Sequence, residues 1–98
     1  MKIRVEPEAE IEILEATRYL ATKSAVAADN FLDDIIEART RLLQFPRSGP
    51  PIGKTARRFL LRRFSYQLIY RVTDDEIVIY AVAHCKRRPR YWNKRLKR

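Results

Sequence analysis

The 98-residue sequence holds one cysteine, one histidine, one tryptophan and two glycines. A lone Cys85 excludes an internal disulfide and any multi-thiolate metal site, and it fits a reducing compartment. A lone His84 excludes a histidine-rich metal centre. With only Gly49 and Gly53 there is no glycine-rich phosphate loop and no nucleophile elbow, so no cofactor is expected. No apolar run approaches the ~20 residues that span a bilayer. Charges at Lys2, Arg4, Glu6, Glu8, Glu10 and Glu12 interrupt any apolar signal-peptide core near the amino terminus. A cytoplasmic protein with no membrane partner is the expectation.

Acidic residues are the scarcer charge: twelve stand against twenty-one Lys and Arg, giving a formal net charge of +9. The imbalance is polar along the chain. Five of the acids fall between Glu6 and Glu15, and eight of the basic residues fall between Lys86 and Arg98. A field of that sign gathers nucleic acid or an acidic protein, although a charge run also serves as a solvated, solubilising face. Hydrophobic residues make up 46 % of the chain, which suits a folded domain rather than a disordered one. The length accommodates one core, so residues 1–98 are read as a single domain ending in a basic tail, residues 84–98.

Hydrophobic periodicity orders the rest. Ile3 and Val5 alternate with Lys2 and Arg4 as a short first strand, which Glu6-Pro7 ends. Pro7 suits the first turn of a helix, and Glu8 and Glu10 favour its positive end. Ala9, Ile13, Ala16 and Leu20 share one face of that helix, with Tyr19 beside it. Ser24 is placed to cap a second helix, whose stripe of Phe31, Ile35, Ala38, Leu42 and Phe45 steps by four, three, four and three. A short break between the two predicts an antiparallel helical hairpin. Pro46 to Thr55 reads as a loop. The period then becomes twofold: a strand over Arg57 to Arg63, a second around Tyr66, Leu68, Tyr70 and Val72, and a third, Ile77 to Ala83, apolar at every position as in a doubly covered central strand. The expected fold is α+β, a two-helix hairpin on one face of a four-stranded, mainly antiparallel sheet in the order β-α-α-β-β-β. The opposite face is expected to stay open and to carry the basic strand residues.

Chemistry has few carriers here. The candidates are the cations Arg57, Arg58, Arg62, Arg63, Lys86, Arg87, Arg88 and Arg90 with His84, beside the aromatics Tyr91 and Trp92. Metal-free RNA cleavage by a 2′-hydroxyl needs a base, a cation for the phosphorane charge and an acid for the leaving oxygen. His84, Arg87 or Arg88, and Tyr91 are the residues able to fill those roles. The bland alternatives are a strand-end histidine bonded to its surroundings, aromatics that pack the tail onto the domain, and arginines that keep a sheet edge from aggregating.

Four stretches resemble the RelE/ParE toxin superfamily, in its ParE-like form: Val5-Glu6-Pro7-Glu8-Ala9; Leu43-Gln44-Phe45-Pro46-Arg47-Ser48-Gly49; Arg57 through Val72; and Ile77 through His84 followed by Arg87-Arg88-Pro89-Arg90-Tyr91-Trp92. The resemblance covers nearly the whole chain in order and implies the same fold. It also implies a type II toxin–antitoxin pair, in which an acidic antitoxin binds the toxin as a hetero-oligomer. RelE-like members cleave mRNA on the ribosome, whereas ParE-like members poison DNA gyrase without catalytic residues of their own. The nucleases carry arginines where this chain has Gln67 and Cys85, while Tyr91 matches a tyrosine they use. The resemblance therefore favours the gyrase-directed reading, with Arg57, Arg58, Arg62, Arg63, Lys86, Arg90 and Trp92 as candidates for contact with target or antitoxin. The alternatives are a ribosome-dependent nuclease using His84, Arg87 or Arg88, and Tyr91, and a non-toxic nucleic-acid-binding module or decayed toxin.

Overall fold

The structure, a computed structural model, describes residues 1–97. Strand β1 (Lys2–Val5) leads into helices α1 (Pro7–Lys23) and α2 (Ala25–Gln44). Strands β2 (Pro51–Ile52), β3 (Ala56–Leu60), β4 (Tyr66–Val72) and β5 (Glu76–His84) follow, and a 3₁₀ turn over Asn93–Lys97 ends the described chain. One residue separates the helices: Ser24 ends the first in extended conformation and accepts a hydrogen bond from the Ala27 N–H at 3.3 Å, capping the second. The helical hairpin is as the periodicity predicts.

The sheet has five strands in the order β1-β5-β4-β3-β2, not four. The added strand lies in the Pro46 to Thr55 segment that reads as a loop. Pro51 and Ile52 pair antiparallel with Arg57 and Ala56, and Gly53 turns the corner at φ 64°. Pro51 is compatible with a strand only because β2 is an edge, where no further neighbour needs its missing N–H. The β3–β4–β5 meander is antiparallel, and β1 pairs parallel with β5 in the register Lys2↔Glu76 to Val5↔Ile79. β5 is thus central, and every residue between its two ends is buried.

Alternation splits the sheet residues between two layers. Toward the helices face Leu68, Tyr70, Ile77, Ile79 and Val82, packed with Ala9, Ala16, Phe31, Ile35, Ala38 and Leu42. Phe45 departs from the expected stripe: it is the residue just past the end of α2, turns out of the helix and is 66 % exposed. Two acids lie in this layer and are almost wholly buried, Glu12 on α1 and Asp34 on α2. Gly49 closes the loop against the sheet, its N–H bonded to the Tyr70 hydroxyl at 3.0 Å, and a Cβ there would lie 2.2 Å from the Arg58 carbonyl oxygen.

The second face of the sheet is not open. Ala56, Ile69, Ala81 and Ala83 form a floor of small and apolar side chains, and Trp92 lies on it at 4 % exposure with Tyr91, Leu96 and Ile52 around it. The basic tail folds back and covers this face through an apolar seam, which overturns the expectation of an unoccupied, arginine-bearing sheet surface. The strand read as Arg57 to Arg63 also ends early, at Leu60. Arg62 and Arg63 sit in the following turn and reach the helix layer instead. Arg63 bonds both oxygens of Asp34, through its backbone N–H and its Nε at 2.9 Å each, and Arg62 stands 3.9 Å from Glu37.

Candidate functional site

The site grows from a mismatch in strand length. β1 stops at Val5, and the Glu6 N–H to Ile79 carbonyl bond at 2.9 Å is the last between the two chains, but β5 runs on to His84. From Tyr80 onward its edge has no strand beside it. Buried backbone groups must be paired, and here side chains do it. Glu12, from the middle of α1, accepts the Val82 N–H at 3.0 Å, and Arg95 donates to the Tyr80 carbonyl at 3.1 Å.

Glu12 is also the anchor of the tail. Its two carboxylate oxygens receive the Tyr91 hydroxyl, Arg95 at 2.8 and 3.3 Å, and Arg87 at 3.4 Å. The Arg87 guanidinium lies 3.7 Å from the centre of the Tyr91 ring, a cation–π contact that orders both. On the sheet side Arg71 donates to the Leu96 carbonyl at 2.8 Å. One carboxylate in the helix layer therefore fixes three residues of the tail. Burial pushes the Tyr91 phenol well above its usual range, and the bond to Glu12 adds to the rise, outweighing Arg87 and Arg95. Arg95 is desolvated, yet Glu12 holds its guanidinium more firmly charged than usual.

The Tyr91 shift gives a prediction with a sign. A phenol whose folded-state value lies above its unfolded one, near 10.0, adds stability below that pH and loses it as pH climbs toward the folded value. Alkaline unfolding is therefore expected to steepen above about pH 10. In Tyr91→Phe that part of the slope should be missing when urea midpoints are compared across pH 8 to 11; an unchanged slope would contradict the buried donor.

Next to this anchor lies a cavity of about 460 Å³, lined by His84, Cys85, Arg87, Arg88, Arg90, Tyr91 and Trp92 from the tail side and by Arg58, Gln67, Ala83 and the Pro51–Gly53 corner from the sheet. Among the described residues no acidic side chain lines it. The nuclease candidates His84, Arg87, Arg88 and Tyr91 are thus brought together, with Arg58, Arg90 and Trp92. The others are not. Arg57 points back to the loop, donating to the Arg47 and Gly49 carbonyls at 3.1 and 2.8 Å. Arg62 and Arg63 serve α2, and Lys86 is exposed outside the cavity, its N–H donating to His84 Nδ1 at 3.1 Å. The ring of His84 packs edge-on against Tyr66, centroids 5.0 Å apart. Among the described residues no group of three or more His, Cys, Asp or Glu could hold a metal ion.

Glu12 and Arg95 are the residues that sequence reasoning missed. Glu12 had a signal: it stands three residues after Ala9 and four before Ala16, inside the apolar stripe of the first helix.

This architecture has counterparts. Residues 3–89 match the family described as ParE toxin of type II toxin-antitoxin system, parDE. "Toxin ParE2" from two strains of Mycobacterium tuberculosis (CDC 1551 / Oshkosh and ATCC 25618 / H37Rv) is 34 % identical over 89 residues, covering 90 % of this chain and 85 % of theirs. A chain of the solved structure described as "Chromosomal ParDE TA system from P. aeruginosa" shares the fold at a TM-score of 0.71 and 20 % identity, over 88 % of this chain and 97 % of its own. The agreement runs from the first strand to the arginine-rich turn beside the cavity, and the chain belongs to the ParE toxin family of type II toxin–antitoxin systems.

Proposed function

We propose that this ParE-family toxin arrests growth by binding DNA gyrase rather than by cutting mRNA, and that an acidic antitoxin neutralises it in a hetero-oligomer. The observation that carries the choice of target is the state of Tyr91 and Arg87. A nuclease would need the Tyr91 proton at the leaving oxygen and the charge of Arg87 or Arg88 at the phosphorane. Here the hydroxyl is turned into the fold onto Glu12, its proton held more tightly than in a free phenol, and Arg87 leans to the same carboxylate at 3.4 Å. Gln67 and Cys85 line the cavity where the resembling nucleases carry arginines. One oxyanion-stabilising donor is worth about 3–4 kcal/mol, so a cavity without arginines at those two positions, whatever charge stands elsewhere in it, and with its phenol turned into the fold is a poor catalyst. A toxin that works by binding needs none of them.

Residues 1–98 are proposed to work as one domain in the cytoplasm, alongside the target. No described helix is long and apolar enough to cross a membrane. The +9 charge supports an acidic partner, because opposite fields speed encounter and fix orientation.

The test is a gyrase supercoiling assay with purified toxin at micromolar concentration, together with expression of His84→Ala in cells lacking the antitoxin. Inhibited supercoiling and undiminished toxicity are expected. Intact supercoiling combined with mRNA cleavage that His84→Ala abolishes would establish the nuclease instead, and harmless overexpression of the wild-type chain would favour a decayed toxin.

A further inference from the structure

The cavity beside the tail contains more positive charge than the fold uses. Arg87 answers Glu12, but the side chains of Arg58, Arg88 and Arg90 enter no hydrogen bond, ion pair or ring contact among the described residues, although all three line the same cavity. They come from two separate elements, β3 and the turn after β5, so their convergence is a product of folding and not of a charge run in sequence. Arg90 is also the one described residue other than glycine with a positive φ, 59°. L-residues adopt that left-handed conformation uncommonly, and residues held in it cluster at ligand clefts and turns.

The chemistry that satisfies several guanidinium forks at one point is a phosphate. Each fork pairs with two oxygens, and a phosphate presents oxygens in several directions at once where a carboxylate presents two in one plane. The volume, about 460 Å³, falls within the range of about 300–1,000 Å³ that small ligands occupy. Gln67 and His84 at the wall add hydrogen-bonding groups suited to a sugar or base edge. Among the described residues no carboxylate lines the wall to repel an anion, and Glu12 lies behind Tyr91 with its oxygens already engaged.

We propose that this cavity binds the phosphate of a nucleotide, free or as one unit of a single strand, through Arg58, Arg88 and Arg90, and holds it without cleavage. The site would be a binding function separate from the action on gyrase. It is consistent with a cavity whose one phenol is turned away from the ligand.

Full-length toxin, titrated into a fluorescein-labelled single-stranded oligonucleotide and separately into a fluorescent nucleoside triphosphate, reads binding by anisotropy. Arg58→Ala/Arg88→Ala/Arg90→Ala is expected to weaken both by at least about tenfold. Lys2→Ala/Arg18→Ala/Arg39→Ala removes the same three charges from other surfaces and should weaken them by less than about threefold. The six side chains are exposed, and thermal unfolding verifies that both variants are folded. A strand that binds far more tightly than the triphosphate identifies a strand unit as the ligand, and equal affinities identify the free nucleotide; recovered oligonucleotide is intact in either case. Equal weakening by the two variants would reduce the effect to net charge and overturn the proposal. So would cleavage of the strand, or equally tight binding of a poly-glutamate peptide that the cavity variant also abolishes. No gyrase enters the experiment, so this proposal and the target reading fail independently.

Discussion

Glu12→Ala is expected to destabilise the domain by about 3–5 kcal/mol, the range for removing one partner of a buried charge network, which in a chain of this size lowers Tm by more than about 10 °C. The substitution strips partners from the Val82 N–H, the Tyr91 hydroxyl and Arg95 together, and leaves Arg95, whose side chain is only 15 % exposed, without its counter-charge. Each buried donor left unmade carries its own desolvation cost of about 1–3 kcal/mol. Glu12→Gln keeps one acceptor oxygen, enough for the Val82 amide, and loses the charge and the second oxygen that receives Tyr91, so its loss should be smaller than that of the alanine variant. Urea denaturation of the three proteins measures both differences. A loss below about 1 kcal/mol for the alanine variant, the scale of a surface ion pair, would mean that the carboxylate does not hold the tail. Trypsin offers a second readout: cleavage after Arg87 and Arg90 should accelerate in Glu12→Ala well before the helices are cut, because the tail undocks first.

Trp92→Ala should cost a comparable amount, about 3–5 kcal/mol, as for other buried aromatics cut back to alanine. The indole is the largest side chain on the second face of the sheet, and the floor beneath it is made of small residues, Ala56, Ala81 and Ala83, with Ile69. Small residues cannot rise to fill the space, so the tail lifts instead and water reaches the sheet. Binding of the dye ANS is therefore expected to increase along with the loss of stability. If the tail were only a solvated charge run, the effect would stay within about 0.5 kcal/mol and dye binding would not change.

Both experiments address what charge concealed in the sequence. Eight basic residues after His84 dominate the composition of the tail, but Trp92 and Leu96, four apart, give it an apolar underside against Ile69 and the alanines. Counting charge alone leaves the sheet face bare; counting Trp92 as a side chain that must be buried covers it. The helical hairpin was legible because Phe31, Ile35, Ala38 and Leu42 repeat at the helical period and Ser24 is a strong cap. Ile77 to Ala83 was legible because only a central strand is apolar on both faces. Strand β2 was not, since two prolines in a short segment look like a loop until a neighbour supplies the pairing. Arg62 and Arg63 were assigned to the sheet, and the reason they left it stands in α2: Asp34 sits among Phe31, Ile35 and Ala38, an acid inside an apolar stripe, just as Glu12 does in α1. Such an acid is buried with the stripe and needs a cation brought to it. Two of them predict two arginine contacts, although not which arginines. The arginines left over, Arg58, Arg88 and Arg90, were among the candidates from the start, but their meeting at one cavity depends on the β3 register and the fold of the tail, which no local pattern encodes.

The first strand and the last lie side by side, Lys2 against Glu76 and Val5 against Ile79. Synthesis runs from the amino end, so a growing chain carries β1 with an empty flank until β5 has emerged. The helices can form as they emerge, but the sheet cannot close around its middle until β5 is free, and the tail has nothing to dock on before then. A chain built this way acquires its docked tail and the cavity beside it in one late step, and a truncated chain that lacks β5 presents neither.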